Sequence, residues 1–390
     1  MIHEEAEALL AESFAPLSTA AFFEAVGKTA FDCKGSPDHP RRKLFDEDPK
    51  RALLDGFRTH AMKLDWHSKS PTLPPPALRE VGSREEFNSL IGSFHERGYT
   101  VRIPEVIPLS PKLQRFARAL ELMLRRPVDA SIFWSAAGAQ AVVHYDKPDN
   151  IIIQLEGRKR WFISTDVPGL QNNWMQVGEP VPHIERHRVL DVEPGDLIYV
   201  PHGTPHTVES TTESLHLAIV FEPMSVRDAI VAALDLLSDS DRTFRETAVT
   251  RIRDVDFEQL SAKLVDGLTR FLPHCQSVDF LRTAMALRWS RATADLPALA
   301  KPTTAAALTR QTQVRQTSLA ISHLRRSYAS LDFSQPGGHL AVHPGVEPEL
   351  QFMSSTRSFA VAEIPGASGD DVKMALVQRL IASGFLEIVS

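Results

Sequence analysis

Between residues 129 and 221 the hydrophobic pattern leaves the helical period and breaks into short apolar or alternating runs. These are Ala130–Trp134, Ala141–His144, Asn150–Leu155, Arg160–Ser164, Val189–Val192, Leu197–Val200, Thr207–Ser210 and Leu215–Phe221. Gly157, Pro168-Gly169, Pro194-Gly195 and His202-Gly203 punctuate them. About eight strands in so short a stretch require an all-β sandwich or barrel, and the two Greek keys of a jelly roll need that count.

On either side the period is helical. Ala6, Leu9, Leu10 and Phe14, then Ala20, Phe22, Phe23 and Val26, recur at near-helical spacing over residues 1–30. The proline triplet within Ser70–Pro76 cannot lie inside a helix or a central strand, and it predicts a linker. Ser83-Arg84-Glu85-Glu86 reads as a capping box, with Phe87, Leu90, Ile91 and Phe94 on one face of the helix it opens. A second helix is expected near 110–126, with Pro111 in its first turn and Leu113, Phe116, Ala117, Leu120 and Leu124 inward.

After Pro223 amphipathic stretches return at Val226–Leu237, Leu260–Phe271, Phe280–Trp289 and Leu319–Tyr328. Gly337-Gly338 then introduces a small α+β tail: a strand at Phe359–Ile364, a helix from Asp370 to Ala382 and a strand at Phe385–Val389. The expected organisation is α+β. An N-terminal helical and irregular segment (1–80) leads into a jelly-roll domain (81–223), a helical oligomerisation module (224–330) and a small C-terminal domain (331–390).

Bulk properties limit the function. At 390 residues, 43% hydrophobic and 24% charged, the chain can bury a core of ordinary size. A net charge of -6 argues against a whole-protein attraction to nucleic acid or anionic membrane. The two cysteines, Cys33 and Cys275, are far apart, which fits a reducing cytoplasm and not a disulfide scaffold. The opening Met-Ile-His-Glu-Glu-Ala-Glu lacks the character of a secretory signal, and no apolar run approaches the ~18 residues that span a bilayer.

The chemistry is concentrated in the β-rich block. In His144-Tyr145-Asp146 two metal-competent side chains stand two positions apart, so on a strand they share a face. A third ligand can come from His206, which follows the turn, strand and turn of Pro194–Pro201. Two imidazoles and a carboxylate on one face of a metal make the facial triad of non-haem Fe(II) oxygenases. Such a triad leaves positions for a 2-oxo acid and for dioxygen.

The run from His144 through Asp149-Asn150-Ile151-Ile152-Ile153-Gln154-Leu155-Glu156-Gly157-Arg158-Lys159-Arg160-Trp161, and the run Glu193–Pro201 followed by His206, resemble the JmjC-type ribosomal oxygenases of the cupin superfamily. The resemblance covers about residues 95–223. Beyond it, a helical dimerisation module and a small winged-helix-like tail are similar in architecture. The resemblance implies Fe(II) at His144, Asp146 and His206. It also implies that 2-oxoglutarate is held by Lys159 and a helping hydroxyl on Ser135, with His216 near the cosubstrate. Strand alternation sends Lys159 to the face opposite Arg158 and Arg160, and a cation inside an apolar barrel needs an anion. Asp149-Asn150 replaces an apolar pair common in the family, and residues 1–80 do not resemble the family's N-terminal segment. Both departures bear on the substrate more than on the metal.

Other histidines and tryptophans are weaker candidates. His183 and His187 stand four apart but lack the glutamate of a metalloprotease helix, which favours a loop over a second metal site. His202 is expected at the barrel rim, and Trp134, Trp161 and Trp174 in packing. The tail 331–390 has three basic residues against seven acidic ones, unlike a DNA-binding winged helix, so no direct contact with nucleic acid is expected.

The sequence thus points to a 2-oxoglutarate-dependent dioxygenase. It would be a homodimeric, cytoplasmic hydroxylase acting on a side-chain carbon of a protein or peptide, and the resemblance implies a ribosomal protein. Two rivals are the same chemistry on a small molecule or natural-product peptide, and a non-catalytic metal-binding cupin module.

Overall fold

The computed structural model describes residues 2–46, 48–166, 184–249, 255–299, 308–326 and 329–389. The chain divides into two units, Met1–Pro223 and Met224–Ser390.

The first unit opens with helices α1 (Ile2–Phe14) and α2 (Thr19–Ala25), strand β1 (Phe31–Cys33), short helices α3 (Pro49–Asp55) and α4 (Phe57–His60), and strand β2 (Asp65–His67). No helix or strand covers 68–82, as the proline triplet requires. Ser83 then caps α5 (Arg84–Glu96) by accepting the Glu86 N–H. The Glu86 carboxylate accepts the Gly82 N–H, one residue earlier than a full capping box would have it. Strand β3 (Thr100–Ile103) leads to α6 (Pro111–Leu124), with Pro111 at the first helical position and Ser110 as its cap. Phe87, Leu90, Ile91 and Phe94 on α5, and Leu113, Phe116, Ala117 and Leu120 on α6, face inward as the spacing predicts, whereas Leu124, expected inward, ends α6 half-buried.

Strands β4 (Asp129–Ser135), β5 (Asp149–Glu156), β6 (Lys159–Ser164), β7 (His187–Val192), β8 (Leu197–Val200), β9 (His206–Ser210) and β10 (Ser214–Phe221) build the barrel. One antiparallel sheet runs β1-β8-β5-β10-β4-β3-β2, and a second runs β7-β6-β9. Ile152, Ile198 and Val200 from the first pack against Trp161, Ile163, Val192 and Val208 from the second. The stretch Ala141–His144, expected as a strand, carries only isolated bridges, His144 to His206 and, just before it, Gln140 to Glu209. Gly157 makes the tight β5–β6 turn: its φ is +65°, and a Cβ there would lie 2.0 Å from the Glu213 carbonyl oxygen.

The segment before residue 80, read as helical and irregular, supplies both edges of the larger sheet. Strand β1 pairs with β8, and Asp32 accepts a hydrogen bond from Arg188 of β7 at 2.6 Å. Strand β2 pairs with β3, and the Lys69 N–H donates to the Gln140 carbonyl at 2.8 Å. The two seams between the sheets are therefore closed by the N-terminal segment. Three-residue strands are too short to show a period, which is why the sequence pattern misses them.

The second unit contains α7 (Val226–Ser240), α8 (Phe257–Cys275) and α9 (Val278–Asp295), with Ala233, Leu237, Phe271 and Ala284 in their shared core. Strands β11 (Gln313–Gln316), β12 (His323–Arg326), β13 (Leu331–Gln335) and β14 (Gly338–Val342) follow, then α10 (Glu347–Ser355), β15 (Ser358–Ala360), α11 (Asp370–Ala382) and β16 (Leu386–Ile388). They form sheets β15-β11-β16 and β12-β13-β14 over a core that includes Val314, Phe333, Leu350, Phe359 and Leu380. The helix expected at Leu319–Tyr328 is not formed. Leu319 adopts a left-handed φ of 55°, which stops a helix, and β12 pairs instead with β13. Tyr328 lies outside the described residues.

Candidate metal centre and anion pocket

His206 opens β9, and the bridge from His144 sets the two imidazoles side by side, with ring centroids 4.4 Å apart. Asp146 follows in the turn, its main-chain carbonyl held by the Gly203 N–H at 2.8 Å. One ligand atom from each of His144, Asp146 and His206 lies within 4.8 Å of the others. The His206 Nε2 is 3.5 Å from Asp146 Oδ2, and the His144 Nε2 is 3.9 Å from Oδ1.

Both imidazoles are oriented from behind. His144 Nδ1 donates to the Val142 carbonyl at 2.9 Å, and His206 Nδ1 to the Thr204 carbonyl at 3.0 Å. The Nε2 lone pairs are thereby left free and convergent, as metal ligation requires. Burial holds the His206 pKa below its ordinary value, against the pull of Asp146, so the imidazole stays in its neutral, ligating form. Asn150, at the position where the sequence departs from the family, donates its Nδ2 to Asp146 Oδ2 at 3.2 Å and so fixes the carboxylate's orientation.

Lys159 points into the barrel as alternation predicts and is 2% exposed. Its outward neighbours Arg158 and Arg160 pair at the surface with Glu193 and Asp191. Lys159 Nζ donates to Ser135 Oγ at 2.7 Å, and Thr100 donates to the same oxygen at 2.9 Å. No carboxylate of the described residues pairs with this ammonium. Burial lowers its pKa to about 7.

His216 Nδ1, which feels the Lys159 charge, is buried without a hydrogen-bond partner, as are Trp161 Nε1, whose ring lies 5.6 Å from that of His216, and Gln154 Oε1. His216 is stacked on Phe133 at 4.8 Å, and burial with the Lys159 charge holds its pKa well below normal. A buried cation with no carboxylate partner among the described residues, near the unpaired Nδ1 of His216, fits an anion. The donor set thus fits a divalent metal, and the Lys159 pocket fits an acid reaching it from the metal.

Three lining residues were not singled out from the sequence. Trp161, expected in packing, lies between His206 and His216, at 5.7 and 5.6 Å from their rings. Thr100 is reached only through the pairing of β3 with β4. His67 comes from the edge strand β2, its ring 5.7 Å from Phe133. Burial and the charge of Lys159 lower its pKa to about 4. No local motif marks Thr100 or His67, and Trp161, though it closes the His144–Trp161 run, carries no sign there of a place in the pocket.

The remaining candidates fall elsewhere. His202 sits in the rim turn, where its backbone N–H and Nδ1 both donate to Asp149 Oδ1, while the Tyr199 hydroxyl donates to Oδ2 at 2.6 Å. Trp134 donates its indole N–H to Glu213, and Lys50 lies over its ring. His187 packs on Phe162 from β7. His183 and Trp174 lie outside the described residues. Among the described residues no other cluster has metal-ligand geometry.

The JmjC domain family matches residues 106–229. Ribosomal oxygenase 2 of Rattus norvegicus is 30% identical over 140 residues, 35% of this chain and 30% of that protein. The bifunctional lysine-specific demethylase and histidyl-hydroxylase NO66 of Dictyostelium discoideum is 29% identical over 231 residues, 55% of this chain and 43% of that protein. The chain thus spans less than half the length of either relative. In structure, the Escherichia coli ribosomal oxygenase YcfD in complex with cobalt and 2-oxoglutarate superposes with a TM-score of 0.53. That match is 17% identical and covers 96% of this chain and 99% of that one, a likeness of fold. Residues 106–229 thus match the JmjC domain family, and the chain is similar to ribosomal oxygenases in sequence over about a third of its length, and in fold.

Proposed function

We propose that this protein is an Fe(II)- and 2-oxoglutarate-dependent oxygenase that hydroxylates a side-chain carbon of a protein or peptide. A ribosomal protein is the substrate class that its relatives' names suggest. The observation that carries the reading is the fully buried Lys159, hydrogen-bonded to Ser135 and lacking a carboxylate, in the same barrel as a convergent His144, Asp146 and His206.

In this reading His144 Nε2, Asp146 and His206 Nε2 hold the metal. Lys159 and Ser135 hold the distal carboxylate of 2-oxoglutarate, and His216 lines the pocket. Iron bound there with 2-oxoglutarate supplies the oxidation of a C–H bond to an alcohol by dioxygen, with the cosubstrate leaving as succinate and carbon dioxide. The chain's own contribution is geometric and electrostatic. The Val142 and Thr204 carbonyls aim the imidazoles, Asn150 aims the carboxylate, and Lys159 neutralises one end of the dicarboxylate.

The finer organisation follows the same reading. The helices of residues 224–330 pair two copies of the chain, which works in the cytoplasm. The tail 331–390 is a winged-helix-like domain whose acidic excess suits contacts with protein and not with nucleic acid.

The test is an anaerobic titration of Fe(II) into metal-free protein with 2-oxoglutarate present. A weak visible charge-transfer band is expected, and its loss in Asp146→Ala. Bound iron without the band would discard the cosubstrate and favour a non-catalytic cupin module. The band together with turnover of a free metabolite, and none of ribosomal peptides, would favour a small-molecule substrate.

A further inference from the structure

The pocket has a wall that the JmjC domain does not itself supply. Strand β2 lies before residue 106 and pairs with β3 so that His67 stands opposite Thr100, while Thr100 stands opposite Ser135. Directly opposed residues in neighbouring strands share a face. His67 is therefore in one row with the two hydroxyls that meet at Ser135 Oγ, the oxygen that Lys159 also reaches.

Its ring lies against Phe133, which is stacked on His216, so two imidazoles flank one phenyl ring across the concave face of the larger sheet. The Lys69 N–H on the Gln140 carbonyl pins the strand at the seam. No hydrogen bond from the described residues reaches the His67 imidazole. Burial, with smaller effects from the charge of Lys159 and from His144, lowers its pKa to about 4, so it is neutral at pH 7.

We propose that His67 is a cosubstrate-binding residue. The N-terminal segment brings its imidazole to the side of the pocket, where its N–H donates to the carboxylate that Lys159 and Ser135 hold. This rests on the 2-oxoglutarate reading above. A neutral imidazole is suited to the place. It offers a donor to the anion without adding a second buried cation beside Lys159, whose own charge already lacks a partner in the barrel. The arrangement also gives residues 65–69 a function beyond closing the barrel.

The experiment uses the full chain loaded with Mn(II). It measures by calorimetry the Kd for 2-oxoglutarate in wild type, His67→Ala and His67→Gln, together with the Kd for Mn(II) alone and the melting temperature. Losing one hydrogen bond to a charged group should weaken 2-oxoglutarate binding by roughly 10-fold or more in His67→Ala, with Mn(II) affinity kept within about twofold. His67→Gln, which keeps a neutral donor, should recover most of the loss. An unchanged 2-oxoglutarate Kd in His67→Ala, or an equal loss of metal and cosubstrate, overturns the proposal. Should the alanine variant melt before the measurement, the glutamine variant and a His67→Asn companion decide it: both weak with normal metal binding also overturns it. Wild type that binds Mn(II) but no 2-oxoglutarate overturns the oxygenase reading itself, a result that cannot be confused with the others.

Discussion

Lys159 has a titration that should be visible in binding. Its ammonium is buried with only a serine hydroxyl for company, and its pKa falls to about 7. In the unfolded chain a lysine titrates near ~10.4, so between these values the unfolded state holds a proton that the ligand-free folded state has lost. Below pH 7 the charged form is present and the ligand-free protein carries the full cost of burying it. As pH rises from 7 towards the unfolded value, that cost is progressively relieved. An anion binds the protonated form, so affinity moves the opposite way. The Kd for 2-oxoglutarate should be flat below pH 7 and then rise by up to about tenfold per pH unit. Calorimetry of the Mn(II)-loaded protein between pH 6 and 9 reads this directly. A Kd independent of pH across that range would mean that Lys159 does not hold the carboxylate.

The elements that matter most for the site are the least conspicuous ones. Strands β1 and β2 have three residues each, yet they are the two edges of the larger sheet. The segment carrying them is fastened by Tyr199, whose hydroxyl accepts the Gly27 N–H while donating to the buried Asp149. Tyr199 also stacks on Phe31 at 5.1 Å and meets the edge of Phe22. At Gly195, φ is +96°, and a Cβ would lie 2.0 Å from the Ser36 carbonyl oxygen, so the segment lies directly against the β7–β8 turn.

Removing residues 1–80 would take Phe22 and Phe31 off Tyr199, uncovering that ring at a cost of ~1.5–3 kcal/mol, and would leave β8 and β3 as unpaired edges. Residues 1–223 expressed alone should fold and bind Mn(II), whereas 81–223 should aggregate or fail to melt cooperatively. Equal melting temperatures and metal affinities for the two would show the N-terminal segment to be dispensable.

At the scale of the whole molecule, the helical part of the second unit carries an apolar face that is not buried within the unit. Phe257, Leu264, Leu268 and Leu272 recur along one side of α8 and are all more than half exposed, while Phe271 is turned into the core. On the proposed reading this stripe is where a second copy of the chain would dock. Light scattering should find a dimer in wild type. Leu264→Glu with Leu268→Glu should raise its dissociation constant by at least ~100-fold, leaving metal binding in the first unit unchanged. A monomeric wild type at micromolar concentration would remove the inference. No helix among the described residues is long and apolar enough to cross a membrane.

Local signals carried much of this protein. Ser83 caps α5 and Pro111 opens α6 where the chain says they should, because helix starts are set by residues within one turn. Lys159 faces inward because strand alternation is a property of the backbone. His144, Asp146 and His206 do come together, but His144 and Asp146 lie on irregular chain beside an isolated bridge and not on the strand whose alternation was expected to align them. What the sequence could not disclose depends on contacts between residues remote in the chain. His67 and Thr100 reach the pocket through sheet pairing, and Asp149 is satisfied by Tyr199 and His202 from another strand and its turn. The expected helix at 319–328 gave way to β12 because pairing with β13 outweighed a weak local period. Short-range preference determined which elements form and which way their side chains point. Only the closure of the barrel decided which of those side chains share a cavity, since cross-strand hydrogen bonding and burial act between segments that no local pattern relates.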